Sequence, residues 1–90
     1  MKSNLTEDFL DHFEKLPEEI KMQARNKYRL WKRNPYHPGL NFKRIHSIQP
    51  VYSIRIGRGW RALGLMLDDT VTWFWIGSHA DYDRLVFKNM

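Results

Sequence analysis

The first third of the chain carries apolar residues at helical spacing, with acidic residues on the opposite side. The apolar positions recur at intervals of four, four and three residues: Leu5, Phe9, Phe13 and Leu16. Thr6 is a suitable N-cap, and the acids that follow it suit the positive end of a helix dipole. This pattern predicts a first helix that begins near Thr6.

A second helix follows, with its own start and stop signals. Pro17 is followed by two glutamates, and proline and acids are both favoured in the first turn of a helix. The apolar stripe of this helix is Ile20, Ala24, Tyr28 and Trp31. Asn34-Pro35 ends it, because proline disfavours a helical conformation in the residue before it. The two segments predict an antiparallel helical hairpin.

The period of the pattern then changes to that of β-strands. Residues rich in β-branched and aromatic side chains alternate with short turn-forming links. Consecutive strands with such links favour an antiparallel meander. The four predicted strands are Leu40–His46, Val51–Gly57, Trp60–Leu67 and Thr70–Gly77.

A short closing helix is predicted after the last strand. Ser78 with Asp81 three residues later forms a capping-box pattern. Tyr82, Leu85 and Val86 then mark one apolar side. The fold prediction for residues 1–90 is a single α+β domain, in which an N-terminal helical hairpin packs on one face of a four-stranded antiparallel sheet. A short C-terminal helix completes it, and the other face of the sheet is left partly open.

Composition excludes several classes of protein. The chain has 90 residues, 42% hydrophobic, which is too apolar for a disordered segment and enough for one domain. It contains no cysteine, so disulfide scaffolds and thiolate zinc sites are excluded. Its four histidines are scattered without metal-ligand spacing, and we expect neither a metal nor a cofactor. The start of the chain lacks the apolar core of a signal peptide, and we expect a cytoplasmic protein that does not enter the membrane.

The net charge of +5 is unevenly distributed along the chain. Residues 1–20 carry six acids and two lysines, whereas residues 21–61 carry eleven Lys or Arg and no acid. The cations of this second stretch have no partner within it. They must face solvent, an acidic segment elsewhere, or a polyanion such as a nucleic acid.

One apparent motif is a decoy. Residues 57–62 match the dinucleotide-binding pattern G-x-G-x-x-A. That motif requires a helix directly after the glycines, within a parallel βαβ unit. A strand pattern follows here instead, so the two glycines are predicted to form a hairpin turn.

The candidate catalytic residues lie at the ends of predicted strands. Arg55 and Arg61 flank the hairpin, and His79 follows the last strand at the neighbouring edge. Two guanidinium groups and an imidazole could therefore bind one phosphate, and the imidazole could exchange a proton with an oxygen. Such a group could promote attack of an RNA 2′-hydroxyl on the adjacent phosphodiester without a metal. His46, at the end of the first strand, is a further candidate base.

The position of Arg61 raises a question of strand parity. Arg61 alternates with Leu63, Leu65 and Leu67, which are expected on the buried face of the sheet. Either a β-bulge near Gly59 or Gly64 redirects the side chain, or Arg61 lies at the frayed start of its strand.

At these residues the chain resembles toxins of the RelE/ParE superfamily, and its closing segment is especially similar to the HigB-like and cyanobacterial ParE-like members. The resemblance covers roughly residues 14–86. It is carried by Leu16-Pro17-Glu18-Glu19-Ile20, the Asn34-Pro35 and His37-Pro38 link, residues 51–56 followed by residues 59–64, and the closing segment of residues 73–83.

The resemblance implies a RelE-like fold and a toxin of a type II toxin–antitoxin pair, often a ribosome-dependent mRNA endonuclease. It implies phosphate contact for Arg61, charge stabilisation or proton transfer for Arg55, a catalytic position for His79, and a base-stacking position for Tyr82. Beside these we expect RNA contacts from Lys43, Arg44, Arg58 and Trp60.

Two departures from the family pattern leave alternatives open. Ser53 stands where RelE-type members carry a further lysine, so the base must come from elsewhere, such as His46 or His79. The usual N-terminal strand is missing or reduced to a remnant around Ser3–Thr6. Because fold alone does not decide activity, a ParE-like toxin acting on DNA gyrase and a non-toxic RNA- or protein-binding module remain alternatives.

The expected partners follow from the charge and the resemblance. For a nuclease they are the ribosome and mRNA, and for any toxin a cognate acidic antitoxin. We expect an acid-bearing segment of that antitoxin to lie across the open sheet face and to cover Arg55, Arg61 and His79.

Overall fold

The computed structural model describes residues 1–88, with side chains to residue 85. Within them the chain forms an α+β fold of three α-helices and one five-stranded sheet. In chain order the elements are β1 (Lys2–Leu5), α1 (Glu7–Glu14), α2 (Glu18–Arg33), β2 (Lys43–Arg44), β3 (Val51–Arg55), β4 (Trp60–Leu67), β5 (Thr70–Ser78) and α3 (His79–Lys88).

The two N-terminal helices begin and end where the sequence signals place them. Thr6 caps α1, and its Oγ1 accepts the backbone N–H of Phe9 at 3.0 Å. Pro17 lies directly before α2, and Asn34 closes that helix with a backbone N–H bond to the carbonyl of Leu30. The predicted positions of these two helices are therefore confirmed, whereas the predicted hairpin differs in detail from the structure.

The sheet has one strand more than the sequence predicts, and it is not purely antiparallel. Its order is β1-β5-β4-β3-β2, and β1 runs parallel to β5 with Ser3 opposite Val71 and Leu5 opposite Trp73. The prediction of four antiparallel strands is wrong at this edge, whereas the short β1 lies where a remnant of the N-terminal strand was considered, around Ser3–Thr6. Polar Lys2, Ser3 and Asn4 carry no strand pattern of their own, and they are ordered by pairing with the edge of β5.

The predicted strand Leu40–His46 is mostly not a strand. Residues Pro38–Leu40 form a short 3-10 helix, and Asn41 follows it in the left-handed conformation at φ 49°. This turn leaves only Lys43–Arg44 to pair with β3. Leu40 and Phe42 contributed to the strand pattern in the sequence. Both are buried in the core, but from the 3-10 helix and the residues that follow it.

The two faces of the sheet have different coverings. Ile54, Ala62 and Ile76 pair in one row across three strands, and they face the apolar sides of α1 and α2. An apolar cavity of about 230 Å³ remains between these helices and the sheet, bordered by Phe9, Tyr28 and the residues of that row. The opposite face carries Arg55 and Arg61, and α3 begins beside it. Helices α1 and α2 therefore cover one face of the sheet, and Arg55 and Arg61 lie on the other.

A β-bulge lies between β4 and β5. Leu63 pairs with Trp75, whereas Gly64 pairs with Trp73, so Phe74 is an extra residue in β5. The bulge lies near Gly64, one of the two places considered from the sequence, but its extra residue is in β5, and it does not redirect Arg61 within β4. Arg61 and Leu63 share a face, because they are two residues apart in one strand.

The closing helix starts as predicted from the capping pattern. Ser78 Oγ accepts the backbone N–H of Asp81 at 3.1 Å. Tyr82 and Leu85 are half-buried, and the predicted contribution of Val86 lies outside the described side chains. Among residues 1–88, no helix combines the length and the apolar composition needed to cross a membrane.

Candidate functional site

The hairpin between β3 and β4 turns on two glycines with positive φ. Gly57 has φ 58° and Gly59 has φ 77°, conformations that residues with a Cβ rarely adopt. The backbone N–H of Ile56 donates to the carbonyl of Trp60 at 2.8 Å and closes the turn. The glycines therefore serve the hairpin, and the strand β4 that follows confirms that residues 57–62 are not a dinucleotide site.

Arg55 and Arg61 lie directly opposite each other across this hairpin. Residues that pair across antiparallel strands have Cβ atoms about 5 Å apart and point to the same side of the sheet. Like charges in such a pair repel, so the arrangement costs stability unless an anion lies between them. The two side chains define the floor of a positively charged site.

His79 is brought to the same place by the backbone. Its N–H donates to the carbonyl of Gly59 at 2.6 Å, which joins the first residue of α3 to the hairpin turn. Trp60 pairs with Ser78 in the neighbouring strand, directly before His79. The end of β5 and the turn between β3 and β4 therefore meet at the same end of the sheet.

These residues surround a cleft of about 360 Å³. None of the residues that line it is Asp or Glu, and three are arginines. The residues that line the cleft are Arg55, Gly57, Arg58, Gly59, Trp60, Arg61 and His79. The structure thus brings together five of the nine candidate residues chosen from the sequence.

Arg61 is held in position and is short of hydrogen-bond partners. Its guanidinium lies over the ring of Tyr82, with 5.1 Å from the central carbon to the ring centroid. Its Nη1 is buried and has no hydrogen-bond partner among the described residues. A buried donor without a partner is costly, and an anion oxygen in the cleft would satisfy it.

His79 is flanked by a carboxylate and by an aromatic ring. Its Nε2 lies 3.5 Å from Oδ2 of Asp83, one helical turn further along α3. The imidazole also stacks on Tyr82, with ring centroids 5.9 Å apart and planes at 23°. Sequence analysis missed Asp83, although its i, i+4 spacing from His79 is the signal that could have found it.

Asp81 does not enter the cleft. Its carboxylate accepts a hydrogen bond from Arg84 and is also bonded by the Ser78 hydroxyl, and these two bonds hold the pKa of Asp81 below its usual range. Ser78 is the last residue of β5, directly before α3, and Arg84 lies within α3. Asp81 therefore serves the cap of the helix.

Of the other candidates, Tyr82 contacts Arg61 and His79, whereas Lys43, Arg44 and His46 do not line the cleft. His46 lies before the start of β3, and Arg55 is the last residue of that strand, about 13 Å from its first residue. Nδ1 of His46 already accepts two backbone N–H groups. Arg44 donates to two carbonyls of the same loop, and Lys43, opposite Ser53, shares the face of Arg55. The structure therefore does not bring His46 to the cleft with Arg55, Arg61 and His79.

The described residues offer no built metal site. Among residues 1–88, no group of three or more His, Cys, Asp or Glu side chains is placed to hold a metal ion.

Comparison with solved structures places the fold. The chain is similar to the RelB–RelE antitoxin–toxin complex from Methanococcus jannaschii, with TM-score 0.73 and 17% identity over 89% of this chain and 95% of that one. It is similar to YafQ from Escherichia coli, with TM-score 0.72 and 12% identity over 90% and 96%. It is also similar to the intact E. coli RelBE complex, with TM-score 0.66 and 18% identity over 86% of this chain and 94% of that one.

Comparison at the level of sequence is more specific. No curated protein matches the chain. The family model of the ParE-like toxin domain matches residues 18–84, which include α2, the hairpin and the start of α3. The chain therefore belongs to the ParE-like toxin domain family, within the RelE/ParE superfamily of toxins from toxin–antitoxin systems.

Proposed function

We propose that this toxin is an endoribonuclease that cleaves mRNA on the translating ribosome, and that its active site is the cleft between the β3–β4 hairpin and the start of α3. The observation that carries the proposal is the meeting of Arg55, Arg61 and His79 around one cleft without a lining carboxylate. RNA is the substrate class that such a site favours, because each nucleotide presents a phosphate beside a nucleophilic 2′-hydroxyl.

The arginines bind the scissile phosphate. A guanidinium presents parallel N–H donors that match two phosphate oxygens, and it stays charged at any physiological pH. The unpartnered Nη1 of Arg61 would gain an acceptor, and the repulsion between Arg55 and Arg61 would be relieved. Both effects grow as charge accumulates on the phosphate oxygens during reaction, so they favour the transition state.

The imidazole of His79 takes part in proton transfer. The 2′-oxygen attacks the adjacent phosphorus and loses its proton, the bond from phosphorus to the 5′-oxygen breaks, and that oxygen gains a proton. His79 performs one of these transfers, because its imidazole lines the cleft and an imidazole can both accept and donate a proton. The products are a 2′,3′-cyclic phosphate and a 5′-hydroxyl end.

Two aromatic side chains suit the bases of the same RNA. Trp60 lines the cleft, and Tyr82 lies beside both Arg61 and His79. Stacking of a base on an aromatic ring contributes about 1–3 kcal/mol and tolerates any base. Lys43, in β2, adds a further positive charge on the face of the sheet that carries Arg55.

The proposed protein partner is a cognate antitoxin with an acidic segment. The RelB–RelE structure from M. jannaschii and the RelBE structure from E. coli are complexes of a toxin with its antitoxin. Here eleven cations fall within residues 21–61 without an acid among them. A segment that carries acids and lies over Arg55, Arg61 and His79 would neutralise the cleft and block the substrate.

The test is cleavage of mRNA in a purified translation system. The double variant Arg55→Gln/Arg61→Gln should lose cleavage, whereas Arg29→Gln/Arg33→Gln, which removes the same charge from the exposed side of α2, should retain it. Equal activity of the two variants would overturn the proposed site. Intact mRNA with wild-type protein, together with inhibition of DNA gyrase, would overturn the proposed activity in favour of a gyrase-directed toxin.

A further inference from the structure

The loop of residues 46–50, between β2 and β3, is held by a histidine. Nδ1 of His46 accepts the backbone N–H of Ile48 at 3.1 Å and that of Gln49 at 2.9 Å. A ring nitrogen can accept only when it carries no proton, so the hydrogen bonds assign a neutral ring with its proton on Nε2.

Arg44 fixes the same loop through its carbonyls. Its Nε donates to the carbonyl of His46 at 3.0 Å, and its Nη2 donates to that of Ile48 at 3.1 Å. The carbonyl of Gln49 accepts the N–H of Val51 at 2.8 Å where β3 begins. Hydrogen bonds therefore satisfy both backbone N–H groups and backbone carbonyls of the loop, and together they hold it in one defined conformation.

The closed loop keeps an apolar side chain in water. Ile48 is 78% exposed, the largest value among the exposed large hydrophobic residues of residues 1–88. A flexible loop could turn such a side chain back onto the protein. The bonds from His46 and Arg44 to the backbone of Ile48 prevent this.

We propose that His46 is a pH-sensitive latch on this loop: the neutral ring holds the loop closed with Ile48 displayed, and protonation of Nδ1 opens it. A protonated Nδ1 would place a donor against the two N–H donors of Ile48 and Gln49, so both bonds are lost together. The closed form is thus present at neutral and higher pH and is lost as the solution is acidified.

Charged groups lie on the elements next to the loop. Lys43 and Arg44 are cations on the adjacent strand β2. The acids at the same end of the sheet are Asp68 and Asp69, in the turn after β4, and Asp69 faces the Met1 amino group at 3.9 Å. No carboxylate forms an ion pair with His46 in the part of the chain that the structure describes.

The experiment compares the full-length protein with two variants by NMR. His46→Asn keeps an acceptor, because an Asn carbonyl can accept N–H groups two and three residues later, and it does not titrate. His46→Ala removes the acceptor. Hydrogen-exchange protection of the Ile48 and Gln49 amides is measured at pH 7.5 and pH 5.0 after correction for intrinsic rates, with the Ile56 amide at the cleft as internal control.

In wild type the protection of both amides should fall about tenfold or more at pH 5.0, the effect of losing two hydrogen bonds. It should stay within about twofold in His46→Asn, and it should be low at both pH values in His46→Ala. Equal protection of wild type at both pH values, or an equal fall in His46→Asn, would overturn the latch. RNA cleavage does not enter this test, so its outcome is independent of the proposed nuclease.

Discussion

Arg55 and Arg61 face each other across the β3–β4 hairpin, two like charges in directly paired positions with no carboxylate lining the cleft between them. A folded protein gains nothing from such a pair by itself, because directly opposed like charges in a sheet are destabilising. The pair becomes favourable when an anion binds to both guanidinium groups. The positions of these two residues are therefore the physical basis of the proposed phosphate site.

Replacement of Arg61 by Gln should weaken RNA binding. Loss of a charge-assisted hydrogen bond costs about 1.5–3 kcal/mol, so the dissociation constant for a short single-stranded RNA should rise roughly 10- to 100-fold. The free energy of unfolding should change little or rise, because the repulsion with Arg55 is removed. Fluorescence anisotropy and thermal denaturation measure the two quantities, and unchanged RNA affinity would remove Arg61 from the site.

Replacement of His79 by Ala should act on the chemical step. Loss of a general acid or base typically lowers the rate 10²- to 10⁴-fold, and RNA affinity should change far less. Added imidazole should restore part of the cleavage rate, since it can occupy the space that the side chain leaves. Asp83→Ala serves as the control: it keeps the ring and should show no rescue. Equal response of the two variants to imidazole would indicate that His79 is only a structural residue of α3.

Addition of one methyl group at Gly64 should destabilise the fold. A Cβ there would lie 2.5 Å from Cγ1 of Val71 and 2.8 Å from Cε3 of Trp73, both in the core. Overpacking of this kind costs about 1–3 kcal/mol. Met22→Ala, an exposed position in α2, should change the free energy of unfolding by about 0.5 kcal/mol or less. Urea denaturation of Gly64→Ala with an unchanged midpoint would contradict the bulge geometry.

Association with an acidic antitoxin should be steered by charge. Increasing the salt from about 0.05 M to 0.5 M shortens the screening length severalfold and should lower the association rate about tenfold or more. The dissociation rate should change much less, because it depends on close contacts. Stopped-flow measurement with the cognate antitoxin provides both rates. An association rate that does not depend on salt would refute the electrostatic part of the antitoxin proposal.

The helices and most of the sheet could be predicted from the sequence because their signals are local. The Thr6 cap, the Pro17 start and the strand Trp60–Leu67 are confirmed by the structure. Strand β1 could not be predicted, since Lys2–Leu5 becomes a strand only through its parallel pairing with β5. Long-range pairing of this kind leaves no pattern in a four-residue segment.

The site was predictable to the extent that it follows from strand register. Arg55 and Arg61 are equally distant from the hairpin turn, so their pairing follows from where the turn lies. His46 does not reach the cleft because it lies just before the start of β3, whereas Arg55 is at the other end of that strand. The loop bonds of His46 involve backbone groups, which carry no residue-specific signal in the sequence.

The chemistry of the RNA ends tests the central claim most directly. Wild-type protein is added to translating ribosomes with labelled mRNA, and the new ends are identified by their reactivity with polynucleotide kinase and phosphatase. A metal-independent attack by the 2′-hydroxyl predicts a 5′-hydroxyl end and a 2′,3′-cyclic phosphate, formed in the presence of EDTA concentrations that leave the ribosomes intact, and absent with Arg55→Gln/Arg61→Gln. A 5′-phosphate end, or cleavage that the double variant retains, would contradict the proposed cleft chemistry.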